Sequence, residues 1–142
     1  MKHLPGFLKN VEGDASGFEV VGFDIEEEAG KRAIPVTSWG RLDFPDKGRV
    51  AHAVADDMEA SAIIREILSA RSAECDLTIV WSNADLAEIK CSARLVIDHA
   101  LEIVTEDWDV WIFGDGWVIE KYHEGELIFF GGHPSGQAAV PD

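Results

Sequence analysis

DVWIFGDGWVIEKYHEGELIFFGG, residues Asp109–Gly132, decides how the rest of the chain must be arranged. Three runs rich in β-branched and aromatic residues, Val110–Phe113, Trp117–Tyr122 and Leu127–Phe130, are separated by Gly114-Asp115-Gly116 and Glu124-Gly125. Short Gly-containing breaks between such runs close β-hairpins, so the stretch reads as a three-stranded antiparallel meander. With two-residue turns at Asp115-Gly116 and Glu124-Gly125, one face carries Val110, Ile112, Trp117, Ile119, Ile128 and Phe130. The other carries Trp111, Phe113, Val118, Glu120, Tyr122, Leu127 and Phe129. A three-residue first loop would swap the two side-chain sets of the first strand, because a one-residue slip turns every side chain over. Both faces are apolar in either register. Helices can cover one; the other must meet another part of the chain or another molecule.

Upstream of the meander, Ser92 is placed to cap a helix over Ala93–Thr105, with Ala93, Val96, Ile97, Ala100, Leu101 and Val104 as its apolar stripe. Leu86–Cys91 is either a short strand or a turn, and Ser82-Asn83-Ala84-Asp85 breaks the chain before it. Leu77–Trp81 is a near-continuous apolar run, which fits a strand buried on both faces. A second helix opens with Asp56 as N-cap and Glu59 three residues on. Ala60, Ile63, Ile64, Ile67 and Leu68 recur on one helical face, and the pattern fades near Ser72.

Further upstream, Val50–Val54 and Phe18–Ile25 read as strands. Ala33–Trp39 reads as an edge strand, because Pro35 removes a ladder donor. Gly40 to Gly48 reads as a loop, and Glu26-Glu27-Glu28 must be exposed, since three carboxylates are not buried unpaired. Residues 1–17, rich in Gly, Lys and Asp with Pro5 early on, and residues 132–142, with neither apolar period nor charge pattern, are expected to be loosely ordered. The expectation is one domain over residues 1–142 of class α+β. Its sheet is mostly antiparallel, with the meander at its C-terminal end and two main helices packed on one face.

Charge is the abnormal total. The chain carries −15, and its distribution is uneven. Residues 1–53 hold nine acids and seven bases, residues 54–94 eight and four, and residues 95–142 ten acids with Lys121 as the single base. Such a field repels nucleic acid and anionic membrane and draws in basic partners, although a solvated acidic surface has the same composition. No run approaches the roughly 18 apolar residues of a membrane helix. MKHLPGFLKN has no sustained apolar region before a cleavage site, so no export signal is expected, and the expected location is the cytoplasm. Cys75 and Cys91 lack metal-ligand spacing and read as buried free thiols of a reducing compartment.

Catalytic signatures are lacking in the pattern. The five histidines are scattered, and His123-Glu124-Gly125-Glu126 spans a tight turn without the i, i+4 pair that puts two imidazoles on one metal. Gly114-Asp115-Gly116 is too short and acidic to cradle phosphate. No Gly-x-Ser-x-Gly elbow occurs. Glu120 is the carboxylate to watch: mid-strand, it reads as a partner of Lys121 or another base in a cross-strand or neighbouring ion pair, or as an acid at the mouth of an active site. No metal and no cofactor are expected. Trp108, Trp111 and Trp117 lie close together beside Phe113, Tyr122, Phe129 and Phe130. Core packing accounts for part of that set. Trp and Tyr also dominate binding hot spots, and here Asp107, Asp109, Asp115, Glu124 and Glu126 rim them. An aromatic centre with an acidic rim suits a basic protein, with Asp107, Asp109, Trp111, Asp115, Glu120, Tyr122, His123, Glu124 and Glu126 as the contacting set.

The run W-x-F-x-D-G-W-V-x-E-x-Y-H-E-G-E-L, Trp111 to Leu127, resembles small immunity proteins of bacterial contact-dependent inhibition and related polymorphic toxin systems. The resemblance reaches at most over Leu77–Gly132. It implies a cytosolic, non-enzymatic protein that binds one cognate toxin domain, often a basic nuclease, and blocks its active site. No catalytic residue is carried over. Two other classes stay open on the residues alone: a small carboxylate-dependent hydrolase or sugar-active enzyme, and an acidic adaptor or subunit of a larger assembly.

Overall fold

The computed structural model describes Gly6 and residues 18–21, 49–71, 75–82, 86, 88–114 and 116–131; for residues 18–21 it is the backbone that is described. The expectations for residues 1–17 apart from Gly6, Glu26-Glu27-Glu28, Ala33–Trp39, Gly40 to Gly48, Asp115 and residues 132–142 lie outside the described residues. The elements in chain order are β1 (Phe18–Val21), β2 (Arg49–Ala53), α1 (Asp57–Ser69), β3 (Asp76–Trp81) and β4 (Glu88–Ser92). Then follow α2 (Ala93–Asp98), α3 (Ala100–Thr105), β5 (Val110–Phe113), β6 (Val118–Tyr122) and β7 (Glu126–Phe130). The strands form one seven-stranded sheet in the order β1-β4-β3-β5-β6-β7-β2, and every pairing in it is antiparallel. The fold is α+β, with α1, α2 and α3 on one face of the sheet.

The central strand β3 is the apolar run Leu77–Trp81. Leu77, Ile79 and Trp81 turn toward the helices and Val80 turns away, all buried. Trp81 closes the helix side by donating its indole Nε1 to the carbonyl of Ile103 at 2.9 Å. Leu86–Cys91, left open between strand and turn, resolves into β4 over Glu88–Ser92, paired between β1 and β3.

Helix α1 starts where a carboxylate can serve the free amides of its first turn. Asp56 is extended, and its Oδ1 accepts the Glu59 backbone N–H at 2.9 Å. Glu59 reaches back to the Ala55 backbone N–H at 2.6 Å, one residue earlier than the usual reciprocal cap. Ala60, Ile64 and Leu68 are fully buried, while Ile63 and Ile67 pack at the border of the core. At the end of the helix, Arg71 places its guanidinium over the rings of Trp117 and Phe129, 4.9 and 4.8 Å from their centroids. Burial there pulls the guanidinium pKa below its ordinary value.

The second helix is not continuous. Ser92 caps it as expected, its Oγ accepting the Leu95 N–H at 3.3 Å, but the chain breaks at His99 (φ −125°, ψ 26°) into α2 and α3. The Ile97 carbonyl accepts the Arg65 side chain at 3.3 Å, and the His99 ring bonds Glu102 at 2.7 Å. The break rotates the apolar face of the second half. Ile103 joins Ala100 and Val104 in the core, and Leu101, which a continuous helix would have buried, stays at the border.

The meander has one turn as expected and one corrected. Phe113 pairs with Val118, and Gly114 N donates to Trp117 O at 2.8 Å, so the first turn has two residues, with Gly116 at φ 86°. In the second hairpin Tyr122 pairs with Glu126, which leaves a three-residue loop, His123–Gly125, rather than a two-residue turn. Gly125 sits at φ 90° and donates to Tyr122 O at 3.1 Å. The physical reason lies in Glu124: a two-residue turn of the favoured hairpin type wants positive φ at both positions, and the longer loop asks it of glycine alone. The slip turns β7 over. Leu127 and Phe129 face the helices, and Ile128 and Phe130 join Val80, Trp111, Phe113 and Val118 on the other face. That second face is buried within the chain: Val80, Trp111, Phe113, Val118 and Ile128 are all at most 3% exposed.

Candidate functional site

The His123–Gly125 turn separates two clefts at one end of the sheet. Local sequence builds it. Asp109 ends the approach to β5 opposite the turn, and its Oδ1 accepts both the His123 backbone N–H (2.7 Å) and the His123 ring Nδ1 (2.9 Å). The imidazole also contacts the Trp108 ring at 5.1 Å and the Tyr122 ring at 4.5 Å between centroids. From the far side, Val54 N donates to Gly125 O at 2.9 Å and fastens the turn to the end of β2.

The first cleft, about 570 Å³, opens on the helix side and is lined by Asp57, Glu106, Asp107, Trp108, Lys121 and His123 among others. Lys121 forms its floor. Only 7% of this residue is exposed, and its Nζ lies 3.1 Å from Asp57 Oδ1 and donates to the Trp108 carbonyl at 3.1 Å. The bond to the carbonyl ties the Trp108 backbone to β6. Asp107 accepts the Ser82 hydroxyl at 2.7 Å, and Glu106 accepts the Gly6 N–H at 2.7 Å. Trp108 stands at the rim with 70% of its surface exposed, the largest exposure of any big apolar side chain described.

The second cleft, about 440 Å³, lies on the opposite side of the turn, among Ala51, His52, Ala53, Tyr122, Glu124 and Glu126. Both clefts present carboxylates beside an aromatic ring. That chemistry suits a cationic group, which gains from the charges and from the ring face, and repels phosphate. Among the described residues no group of three or more His, Cys, Asp or Glu is placed to hold a metal ion, and no helix is long and apolar enough to cross a membrane.

The structure divides the sequence-predicted contact set. Asp107 and His123 line the first cleft, with Asp109 behind them orienting the turn. Tyr122, Glu124 and Glu126 line the second. Trp111 and Glu120 line neither cleft. They face each other across the β5–β6 pair at 3% and 0% exposure, and the Trp111 indole donates to Glu120 Oε2 at 2.8 Å. Glu120 and Lys121 do not pair with each other, because neighbours along a strand point to opposite faces and Lys121 goes to Asp57. Asp115 lies outside the described residues. Sequence reasoning left out Trp108, Glu106, Asp57, Lys121 and His52. For Trp108 the one signal in the sequence is its place between Glu106-Asp107 and Asp109, in the turn that precedes the apolar run of β5.

No protein-family model matches the chain, and no curated protein matches its sequence.

Proposed function

We propose that the chain is a binding protein of the immunity type, which takes up a cognate, basic toxin domain in the cytoplasm and blocks its active site. The observation that carries this reading is Trp108: a tryptophan held in the open, 70% exposed, at the rim of a cleft with Asp57, Glu106 and Asp107. An indole costs free energy in water, and a rigid aromatic with carboxylates around it is the usual composition of a hot spot for a basic partner. The charge of −15 adds long-range attraction for such a partner. The hydrolase alternative gains nothing from Glu120, which is buried against Trp111 and lines neither cleft.

The experiment is growth rescue followed by kinetics. The product of the neighbouring reading frame should arrest growth when expressed alone and be tolerated when co-expressed with this chain. The purified pair should associate with a rate that falls steeply with salt. A neighbouring product that is harmless, or that does not bind, removes the reading.

A further inference from the structure

Among the described strands β2 is the terminal one, beside β7. Its residues Arg49, Val50, Ala51 and Ala53 are exposed. The direction of its backbone follows from one contact. Val54 N points inward to Gly125 O, and backbone groups alternate sides along a strand. His52 and Val50 therefore also point at β7, while Ala51 and Ala53 direct their N–H and C=O groups outward. Among the described residues nothing hydrogen-bonds these four outward groups. An open edge of this kind is a template for another strand unless the protein blunts it with charge, proline or a bulge, and Ala51 and Ala53 do none of that.

The second cleft lies against this same edge. The methyl groups of Ala51 and Ala53 leave the space over β2 low, and beyond them stand Tyr122, Glu124 and Glu126. Strands lie about 4.8 Å apart, so a long side chain on an added strand crosses the alanines and brings a cationic head to those carboxylates. We propose that the outer edge of β2 takes an extended, lysine- or arginine-bearing segment of a partner as an eighth strand, with its cations over Ala51 and Ala53 reaching the Glu124–Glu126 cleft. Backbone pairing supplies the affinity, and alternate side chains supply the choice of partner. The chain's own net charge of −15 opposes a second copy as the occupant. The inference deepens the binding reading above but uses a different surface from Trp108.

The test uses the full chain and a short fluorescein-labelled peptide alternating lysine and threonine, read by anisotropy at low salt. Two further peptides carry N-methyl groups on one or the other alternate set of amides, and a fourth has glutamate for lysine. Ala51→Pro removes one outward donor and no bond to β7, a replacement that edge strands accept. The parent peptide should bind. Ala51→Pro should weaken it about tenfold or more, one methylated peptide should fail while the other keeps most of its affinity, and the glutamate peptide should not bind. Trp108→Ala should leave peptide binding unchanged, so loss of the toxin partner in that variant and loss of the peptide in Ala51→Pro report on separate surfaces. Equal binding of both methylated peptides, or no binding of the parent, overturns the proposal. If Ala51→Pro shifts the urea midpoint, the methylated peptides against the unaltered chain decide alone.

Discussion

The Trp111 indole donates to Glu120 Oε2 at 2.8 Å across the β5–β6 pair, with both residues buried on the sheet face that looks away from the helices. The indole N–H gives this mid-sheet carboxylate a hydrogen-bond donor. Trp111→Phe keeps most of the ring and removes this donor, leaving a buried carboxylate oxygen short of a bond. The expected cost is about 1–3 kcal/mol of stability, read from urea midpoints, with the association rate for a basic partner unchanged. A Trp111→Phe variant that folds as well as the parent and loses its partner would show the indole to be a contact after all.

Trp108 is predicted to behave in the opposite way. Trp108→Ala should leave the urea midpoint within about 0.5 kcal/mol, since the side chain is 70% exposed. It should speed dissociation of the partner by about 2 kcal/mol or more. Surface-based kinetics measures both rates.

The rim charges should act on encounter. Glu106→Gln with Asp107→Asn is expected to slow association and flatten its dependence on salt, with little change in dissociation. Asp109 should be left intact in this experiment, because its Oδ1 holds both the backbone and the ring of His123 and its loss would disturb the turn itself. An unchanged on-rate and salt slope would move the docking face away from the first cleft.

In the helix layer, Ile64→Ala and Ile103→Ala should each cost about 2–5 kcal/mol, as both are fully buried. Ile63→Ala and Ile97→Ala should cost less, because those side chains pack only at the border of the core. Denaturant midpoints of the four variants test the helix facing directly.

Burial pushes the Cys91 thiol up to about 12 from an ordinary 9.0, with the Asp76 carboxylate adding to the shift. The folded chain therefore keeps this proton where the unfolded chain releases it. The contribution to stability is full below about pH 9 and is lost as the pH rises toward 12. Cys91→Ala should flatten the alkaline arm of the stability curve. Iodoacetamide at pH 8 should modify Cys91 only after unfolding, which mass mapping of the labelled chain would read.

What the sequence by itself determined is what depends on a few adjacent residues. The meander, the two-residue turn ending at Gly116, the Asp56 and Ser92 caps and the buried run Leu77–Trp81 are all set by local chemistry: glycine where φ is positive, a short acceptor beside free amides, an unbroken apolar stretch. The class of fold followed from their order. Tertiary structure alone decided which end of the sheet each outer strand joins, since β1 meets β4 and β2 meets β7 across long stretches of chain. It also decided the break at His99, where the Arg65 side chain binds the Ile97 carbonyl, and with it the burial of Ile103. The largest difference lies in β7. One extra residue in the loop His123–Gly125 exchanged its two faces, a change that apolar spacing cannot register because both faces of the strand are apolar. Trp108 and Trp111 were separated in the same manner: by composition they are equivalent, but β5 takes Trp111 into the sheet, whereas Trp108 precedes the strand and stays 70% exposed.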